Sequence, residues 1–211
     1  MNRIIVFGAT GGTGKFVVEY ALEAGYQVTV IVRNPGDFTL TDKSLEIIKG
    51  DVLQLATFER AMKGKYAVIS CLGSIRKEPT TVYSQGVTNI ANAMGKAGIT
   101  RIICISAGAV IVPPKSSFMI KFVVKNILQR LFKHIYADML RMEAILSISD
   151  LDWTVIRAPR LTNNKRTGKY RIAINEHLSK PSSISRADLA DYIVTHFCDE
   201  KTFKARVEVC Y

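Results

Sequence analysis

A glycine-rich stretch between an apolar run and an amphipathic pattern constrains this chain most. Residues 4–7 are continuously apolar, and Gly8-Ala9-Thr10-Gly11-Gly12-Thr13-Gly14 follows at once. The next apolar residues recur at helical spacing, which predicts a helix that begins in the glycines: Val17, Val18, Ala21 and Leu22. Gly25 is placed to end that helix. The segment therefore predicts a strand, a tight loop and a helix.

The same alternation continues through the first half of the chain. A β-branched run at 28–32 lacks polar alternation, as expected for a parallel strand that is covered on both faces. Further predicted elements are strands at 45–49, 67–70 and 101–105, a short helix near 58–62 and a longer helix at 82–97. Strands alternating with helices predict an α/β fold: a Rossmann-like, doubly wound parallel sheet with helices on both faces.

The second half of the chain has a less regular pattern. Its predicted elements are helices over 118–132 and 137–147, strands over 153–156, 170–174 and 205–209, and a helix capped by Ser185. The rest of 160–180 has no clear pattern. With 211 residues, 48% of them apolar, and no internal repeat, we predict one domain over 1–211.

Composition limits the partners of the chain. The 29 Lys and Arg outnumber the 18 Asp and Glu, which gives a net charge of +11 and indicates an anionic partner. No nucleic-acid-binding motif accompanies this charge, so we expect no nucleic acid. The scattered Cys and His residues lack the spacing of a metal site. The four cysteines form no C-x-x-C pair, and the N-terminal residues lack the pattern of a secretory signal. Both features predict a cytoplasmic location.

The glycine spacing suggests a ligand. Gly8, Gly11 and Gly14 form a G-x-x-G-x-x-G pattern. Glycines at a strand–helix turn let backbone N–H groups approach a pyrophosphate, which rests on the positive end of the helix. Because the pattern lies inside a βαβ unit, we predict a dinucleotide site. The alternative is a tight turn that serves packing only.

The end of the second strand indicates which nicotinamide cofactor binds. An acidic residue there pairs with a ribose 2′-hydroxyl, whereas a basic residue accommodates a 2′-phosphate. This chain has Arg33 at that position and no acidic residue beside it. An arginine fork can hold a phosphate with two hydrogen bonds. We therefore predict NADP(H), with an ordinary solvated charge as the alternative.

Other short motifs follow predicted strands: Gly50-Asp51-Val52-Leu53-Gln54, Leu72-Gly73, Pro79-Thr80-Thr81-Val82 and Ser106-Ala107. With the glycine loop and Arg33, they resemble the atypical short-chain dehydrogenase/reductases. The resemblance is close to the biliverdin reductase B/flavin reductase family and its NmrA-like relatives. It covers nearly the whole chain and is more specific before Ala107 than after it.

The resemblance implies a set of site residues. The pyrophosphate would be lined by Gly8, Thr10, Gly11, Gly12, Thr13 and Gly14, and the 2′-phosphate would be held by Arg33. The adenine would be bordered by Asp51 and Val52, and the stretch Cys71, Leu72 and Gly73 would lie along the cofactor. The nicotinamide would be flanked by Ser106 and Pro159. Ser106 would be the catalytic residue, orienting the carboxamide or the acceptor by hydrogen bonding.

Two of these assignments compete with plainer interpretations. Asp51 stands at the carboxyl end of a predicted strand, where open α/β sheets bind ligands, but a turn or helix-cap residue would look the same. Arg160, which follows Pro159, could meet an acidic acceptor such as the phosphate of FMN. A solvated loop charge is the alternative for Arg160.

The sequence lacks the acid–base pair of ordinary short-chain dehydrogenases. No tyrosine has a lysine four residues later, which argues against alcohol–ketone chemistry. Members that reduce biliverdin place two histidines around the tetrapyrrole, where this chain has Met139 or Glu143 and Arg160. The absence of these two histidines argues against biliverdin as the acceptor. Hydride transfer to a flavin requires less of the protein, because the resulting anion is delocalised.

The hypothesis is an NADPH-dependent reductase of a flavin or similar conjugated acceptor, a small molecule held in a cleft built mainly from 107–135 and 158–182. The alternative is an NADP(H)-binding, NmrA-like redox sensor without turnover. The basic amphipathic stretch from Lys115 to Lys133 contains no acidic residue. We expect it to form a cleft wall or a subunit contact rather than a membrane surface; the oligomeric state stays open.

Overall fold

The apolar runs of the sequence form the strands of a central sheet. A computed structural model describes residues 3–74, 78–112 and 118–211. Its strands are β1 (Arg3–Phe7), β2 (Gln27–Val32), β3 (Leu45–Lys49), β4 (Ala67–Ser70), β5 (Arg101–Ala107), β6 (Asp152–Ala158), β7 (Arg160–Thr162), β8 (Arg171–Ile174), β9 (Ser183–Ser185) and β10 (Ala205–Cys210). Its α-helices are α1 (Gly12–Glu23), α2 (Ser84–Ala97), α3 (Phe118–Val123), α4 (Gln129–Leu131), α5 (Lys133–Ser147) and α6 (Arg186–His196).

The main sheet has eight strands in the order β3-β2-β1-β4-β5-β6-β10-β8. The direction of winding reverses between β1 and β4, so the loops that follow these strands open a crevice where such sheets bind ligands. The predicted α/β fold is confirmed. One detail differs, because β8 at the edge is antiparallel to β10. A separate parallel pair joins β7 to β9.

Helices cover both faces of the sheet. Side chains of β1 alternate between the faces: Ile4 and Val6 pack with α1 and α6, whereas Ile5 and Phe7 pack with α2 and α5. These four side chains are at most 1% exposed. Burial on both sides explains why the inner strands carry apolar residues at consecutive positions.

Several local predictions need correction. The short helix expected near 58–62 is a 3₁₀ turn over Glu59–Met62. The helix expected over 118–132 is divided by a π-helical turn at Val124–Leu128. The next helix begins at Lys133 rather than 137, and its first turn already contains the buried Ile135. The three residues of β7 are too few to show a period. The predicted Ser185 cap is confirmed: its Oγ accepts from the Asp188 N–H at 2.9 Å.

A buried carboxylate joins the two helices on one face. Asp138 of α5 is fully buried and accepts from the backbone N–H of Tyr83 at 2.9 Å and from the N–H and hydroxyl of Ser84. It thereby caps the start of α2, whose own preceding residue supplies no side-chain cap. Arg141 pairs with the same carboxylate at 3.0 Å.

Among the described residues, no helix is both long enough and apolar enough to cross a membrane. Within the same residues, no group of three or more His, Cys, Asp and Glu side chains could hold a metal ion.

Candidate functional site

The glycine loop after β1 is shaped by backbone atoms that nearly touch. Gly8 has a φ of +75°, and a Cβ there would overlap the carbonyl oxygen of Cys71 after β4. A Cβ on Gly14 would overlap the carbonyl oxygen of Gly8. The turn closes through a hydrogen bond from the Gly11 N–H to the Gly8 carbonyl at 3.0 Å. Gly8 and Gly14 are therefore required by space, and Gly8 also by its φ.

The loop leaves the start of α1 open. Gly11 precedes the helix, no side chain caps it, and its first turn contains no acidic residue. The first N–H groups of an α-helix have no partner inside the helix, and they carry a partial positive charge. Thr10, Gly11 and Gly12 are exposed, whereas Thr13 and Gly14 are buried. The residues present therefore fit the pyrophosphate of a dinucleotide.

Arg33 follows β2 directly and is exposed. Within the described residues its guanidinium makes no hydrogen bond or ion pair, so all of its donors are available. Asp51, after β3, is engaged differently: its Oδ1 accepts from the Leu53 N–H at 3.0 Å, as in a turn. Val52 is buried, and its carbonyl accepts from the Asn89 amide. The turn interpretation of Asp51 thus matches its contacts.

Cys71, Leu72 and Gly73 follow β4 next to the glycine loop. The Cys71 N–H donates to the Phe7 carbonyl at 2.9 Å, which extends the pairing of β1 with β4. Burial raises the pKa of the Cys71 thiol to about 12, so the thiol stays protonated at neutral pH. Gly73 is exposed and has open space on its Cβ side. This stretch offers backbone groups and shape rather than a nucleophile.

Ser106 and Pro159 lie at the same edge, three strands from β2. Ser106 pairs in register with Arg157, and Ala107 with Ala158, so the ends of β5 and β6 stand side by side. Ser106 is only 2% exposed, and its hydroxyl donates to Oε1 of Glu143 on α5 at 2.8 Å. Pro159 is half-buried and Arg160 is exposed. Ser106 thus has its proton directed into the protein.

Glu143 is the centre of a buried ionic cluster. Arg157 holds its carboxylate with two hydrogen bonds, Nε to Oε1 at 3.1 Å and Nη2 to Oε2 at 2.6 Å. Arg206 of β10 adds Nε to Oε2 at 3.0 Å. Burial alone would raise the pKa of Glu143, but the Arg157 contacts, with those of Ser106 and Arg206, outweigh it and lower the pKa. Glu143 is therefore an ionised acceptor at neutral pH, not an acid.

Sequence reasoning did not identify this cluster. It considered Glu143 only as a possible occupant of a histidine position, and it gave Arg157 and Arg206 no role. A signal was present: Arg157 stands between apolar residues near the end of a predicted strand, and a buried charge requires a partner. The predicted site residues do gather at one edge of the sheet, at the carboxyl ends of β1 to β6. Their individual roles stay predictions.

The fold and its glycine loop define a dinucleotide-binding α/β protein. The model of the NAD(P)H-binding family matches residues 8–200, and the chain belongs to this family. A nicotinamide cofactor is thereby established as its ligand class. Among curated relatives, cinnamoyl-CoA reductase 1 of Oryza sativa is 30% identical over 125 residues, which cover 54% of this chain and 37% of that protein. The chloroplastic protein At2g34460 of Arabidopsis thaliana is 27% identical over 99% of this chain and 76% of its own length.

Solved structures share the whole fold. The structure of SP1627 from Streptococcus pneumoniae, assigned as an NADH-flavin reductase, has a TM-score of 0.82 and 21% identity, covering 100% of this chain and 99% of that one. ChuY, an anaerobilin reductase from Escherichia coli, has a TM-score of 0.78 and 19% identity over 99% and 97% of the two chains. At these identities the likeness concerns the fold alone.

Proposed function

We propose that this protein is an NADPH-dependent reductase that passes hydride to a flavin or a similar conjugated acceptor. The observation that carries the proposal is the exposed Arg33, which has no ion-pair partner among the described residues and follows the strand paired with β1, itself followed by the uncapped, glycine-lined start of α1. A free guanidinium at the end of β2 favours a cofactor with a 2′-phosphate. When bound, the nicotinamide supplies the hydride.

The acceptor class follows from what the edge near β5 can do. The Ser106 hydroxyl donates to ionised Glu143, and the Cys71 thiol stays protonated because it is buried. Tyr83 is buried, its hydroxyl accepts from the Ser74 N–H, and burial raises its pKa. Ser106, Cys71 and Tyr83 are at most 8% exposed, so none of them is placed to hand a proton to an alkoxide in the cleft. An acceptor that becomes a delocalised anion needs no such acid, and flavins and bilins are of that kind.

The assigned functions of two structural neighbours support this acceptor class, since one is assigned as an NADH-flavin reductase and the other as an anaerobilin reductase. We propose that Ser106 positions the nicotinamide or the acceptor through its oxygen lone pairs, and that Arg160 meets an acidic group of the acceptor. The cleft would use 107–135 and 158–182; of these, 113–117 lie outside the described residues.

The four unpaired thiols suit a reducing cytoplasm.

The direct test is NADPH oxidation by the purified protein with a panel of FMN, FAD, riboflavin, biliverdin isomers, quinones and azo dyes, with NADH run in parallel. We expect saturable turnover with one acceptor class and a preference for NADPH. Turnover no faster than the uncatalysed mixture, together with tight NADPH binding, would overturn the reductase and favour the redox sensor. The missing Tyr-x-x-x-Lys pair is the observation that keeps this second function open.

A further inference from the structure

A second arginine lies against the glycine loop. Arg186 is the first residue of α6, and α6 packs beside α1 on the same face of the sheet. A Cβ placed on Gly12 would stand 2.7 Å from Cδ and 2.8 Å from Nε of Arg186. The Arg186 side chain therefore lies across the first residue of α1, in the space that a side chain at position 12 would fill.

Arg186 makes no ion pair with a carboxylate of the described residues. Its Nη1 donates to Oδ1 of Asn163 at 2.6 Å, which is a neutral partner. The nearest acid in its own helix, Asp188, is used elsewhere: it accepts from the N–H groups of Thr167 and Gly168 and from the Tyr211 hydroxyl.

The positive start of α1 and the Arg186 guanidinium thus lie next to each other, and no carboxylate of the described residues pairs with Arg186. The start of α1 carries the partial positive charge of a helix N-terminus and has no acidic residue in its first turn. The guanidinium of Arg186 stands beside it, so an anion bound at this point would be attracted by both. A diphosphate satisfies both features, because arginine and helix N–H groups are its usual donors.

We propose that Arg186 binds the diphosphate of the nicotinamide cofactor and closes the outer side of the glycine loop. The proposal rests on the cofactor binding in the proposed function and assigns a contact separate from Arg33. Arg33 would contact the 2′-phosphate, which only NADP(H) carries. Arg186 would contact the diphosphate, which NADPH and NADH share. Loss of Arg33 should therefore weaken the binding of NADPH alone, whereas loss of Arg186 should weaken the binding of NADPH and NADH alike.

The test is an equilibrium titration of the Arg186→Gln variant with NADPH, NADH and 2′-AMP, which has the 2′-phosphate but no diphosphate. The Kd values of NADPH and NADH should rise together by about tenfold to hundredfold, the value of a hydrogen bond to a charged group. The Kd of 2′-AMP should stay within about twofold of wild type. Arg60→Gln, at an exposed arginine on the turn before β4, is the matched control and should change none of the three.

Asn163→Ala distinguishes a structural role of Arg186 from a direct contact with the cofactor, because it removes the hydrogen bond between the two side chains but keeps the Arg186 charge. It should bind both cofactors like wild type, and Arg186→Lys should recover part of the affinity. Unchanged cofactor binding in Arg186→Gln, an equal loss for 2′-AMP, or an equal loss in Asn163→Ala would each overturn the proposal. If wild type binds neither cofactor, both proposals fail; if it binds them but reduces nothing, only the proposed function fails.

Discussion

The two ends of the ligand-binding edge are built in different ways. At the β1 end, the shape comes from backbone passing close to backbone at Gly8 and Gly14. At the β5–β6 end, it depends on charged side chains, with Glu143 held between Arg157 and Arg206 beneath Ser106. The first end should be damaged by adding atoms and the second by removing a charge.

The largest effect is expected for Glu143→Gln. This change leaves Arg157, whose side chain is 8% exposed, without its carboxylate, and breaking a buried pair from one side costs about 3–5 kcal/mol. Urea unfolding at neutral pH measures the free energy. Glu59→Gln is the control, because its pair with Lys96 is on the surface and should contribute at most about 1 kcal/mol. Equal losses in the two variants would contradict the contrast.

The same carboxylate predicts a pH dependence. Because the folded pKa of Glu143 lies below its unfolded value of 4.5, its contribution is complete above that value and disappears as pH falls through the folded pKa. The stability advantage of wild type over Glu143→Gln should therefore shrink below about pH 4. Unfolding curves of both proteins between neutral and acidic pH would show it. A constant difference would mean that folding does not shift the pKa of Glu143.

Arg33→Ala should affect binding rather than folding. Losing a charge-assisted contact should weaken NADPH by about 1.5–3 kcal/mol while NADH changes little, because NADH has no 2′-phosphate. Titration of both cofactors measures this difference. Equal weakening of NADPH and NADH would show that Arg33 does not hold the 2′-phosphate.

Gly14→Ala tests the end of the edge that follows β1. The added methyl meets the Gly8 carbonyl, which is backbone and cannot rotate away, so we expect a loss of about 1–3 kcal/mol in stability together with impaired cofactor binding. Gly95→Ala is the matched change in α2, where no neighbour lies within 4 Å. That substitution should stabilise the protein by about 0.5–1 kcal/mol through helix propensity. Thermal unfolding of both variants separates crowding from propensity.

The smallest change in stability is expected for Phe118→Ser, since Phe118 is 85% exposed. Its unfolding free energy should stay within about 0.5 kcal/mol of wild type. If α3 lines the acceptor cleft, the KM for the acceptor should rise severalfold while the Kd for NADPH is unchanged. Ile148→Ser, at an 88% exposed residue after α5, should change neither value. An unchanged acceptor KM in Phe118→Ser would remove α3 from the cleft.

The contrast also explains how much of the molecule could be predicted from its sequence. The glycine loop and the first five strands were predictable because their signals lie within short stretches: apolar runs, glycine spacing and a capping serine. The Glu143 cluster was not, because residues 106, 143, 157 and 206 meet only after α5 packs on the sheet. Arg186 escaped for the same reason, since nothing near it in sequence points to Gly12.

Irregular elements were missed for a different physical reason. The strand β7 has three residues, and its partner β9 lies about twenty residues further along, so neither segment displays a period. The π-helical turn at Val124–Leu128 shifts the helical phase by one residue inside an apolar stretch, which a regular period of 3.6 does not reveal. Such features depend on tertiary pairing more than on local sequence.

The buried Asp138 has a consequence for motion. Its carboxylate is fully buried and caps α2 from α5, so fraying the first turn of α2 would remove its Tyr83 and Ser84 donors and leave it the Arg141 pair. The two helices should therefore open together as one cooperative unit in native-state hydrogen exchange. Residues 78–83, which lead into α2, are anchored at their far end by this contact. Exchange rates of the Tyr83 and Ser84 amides would consequently report on the opening of α5 as well.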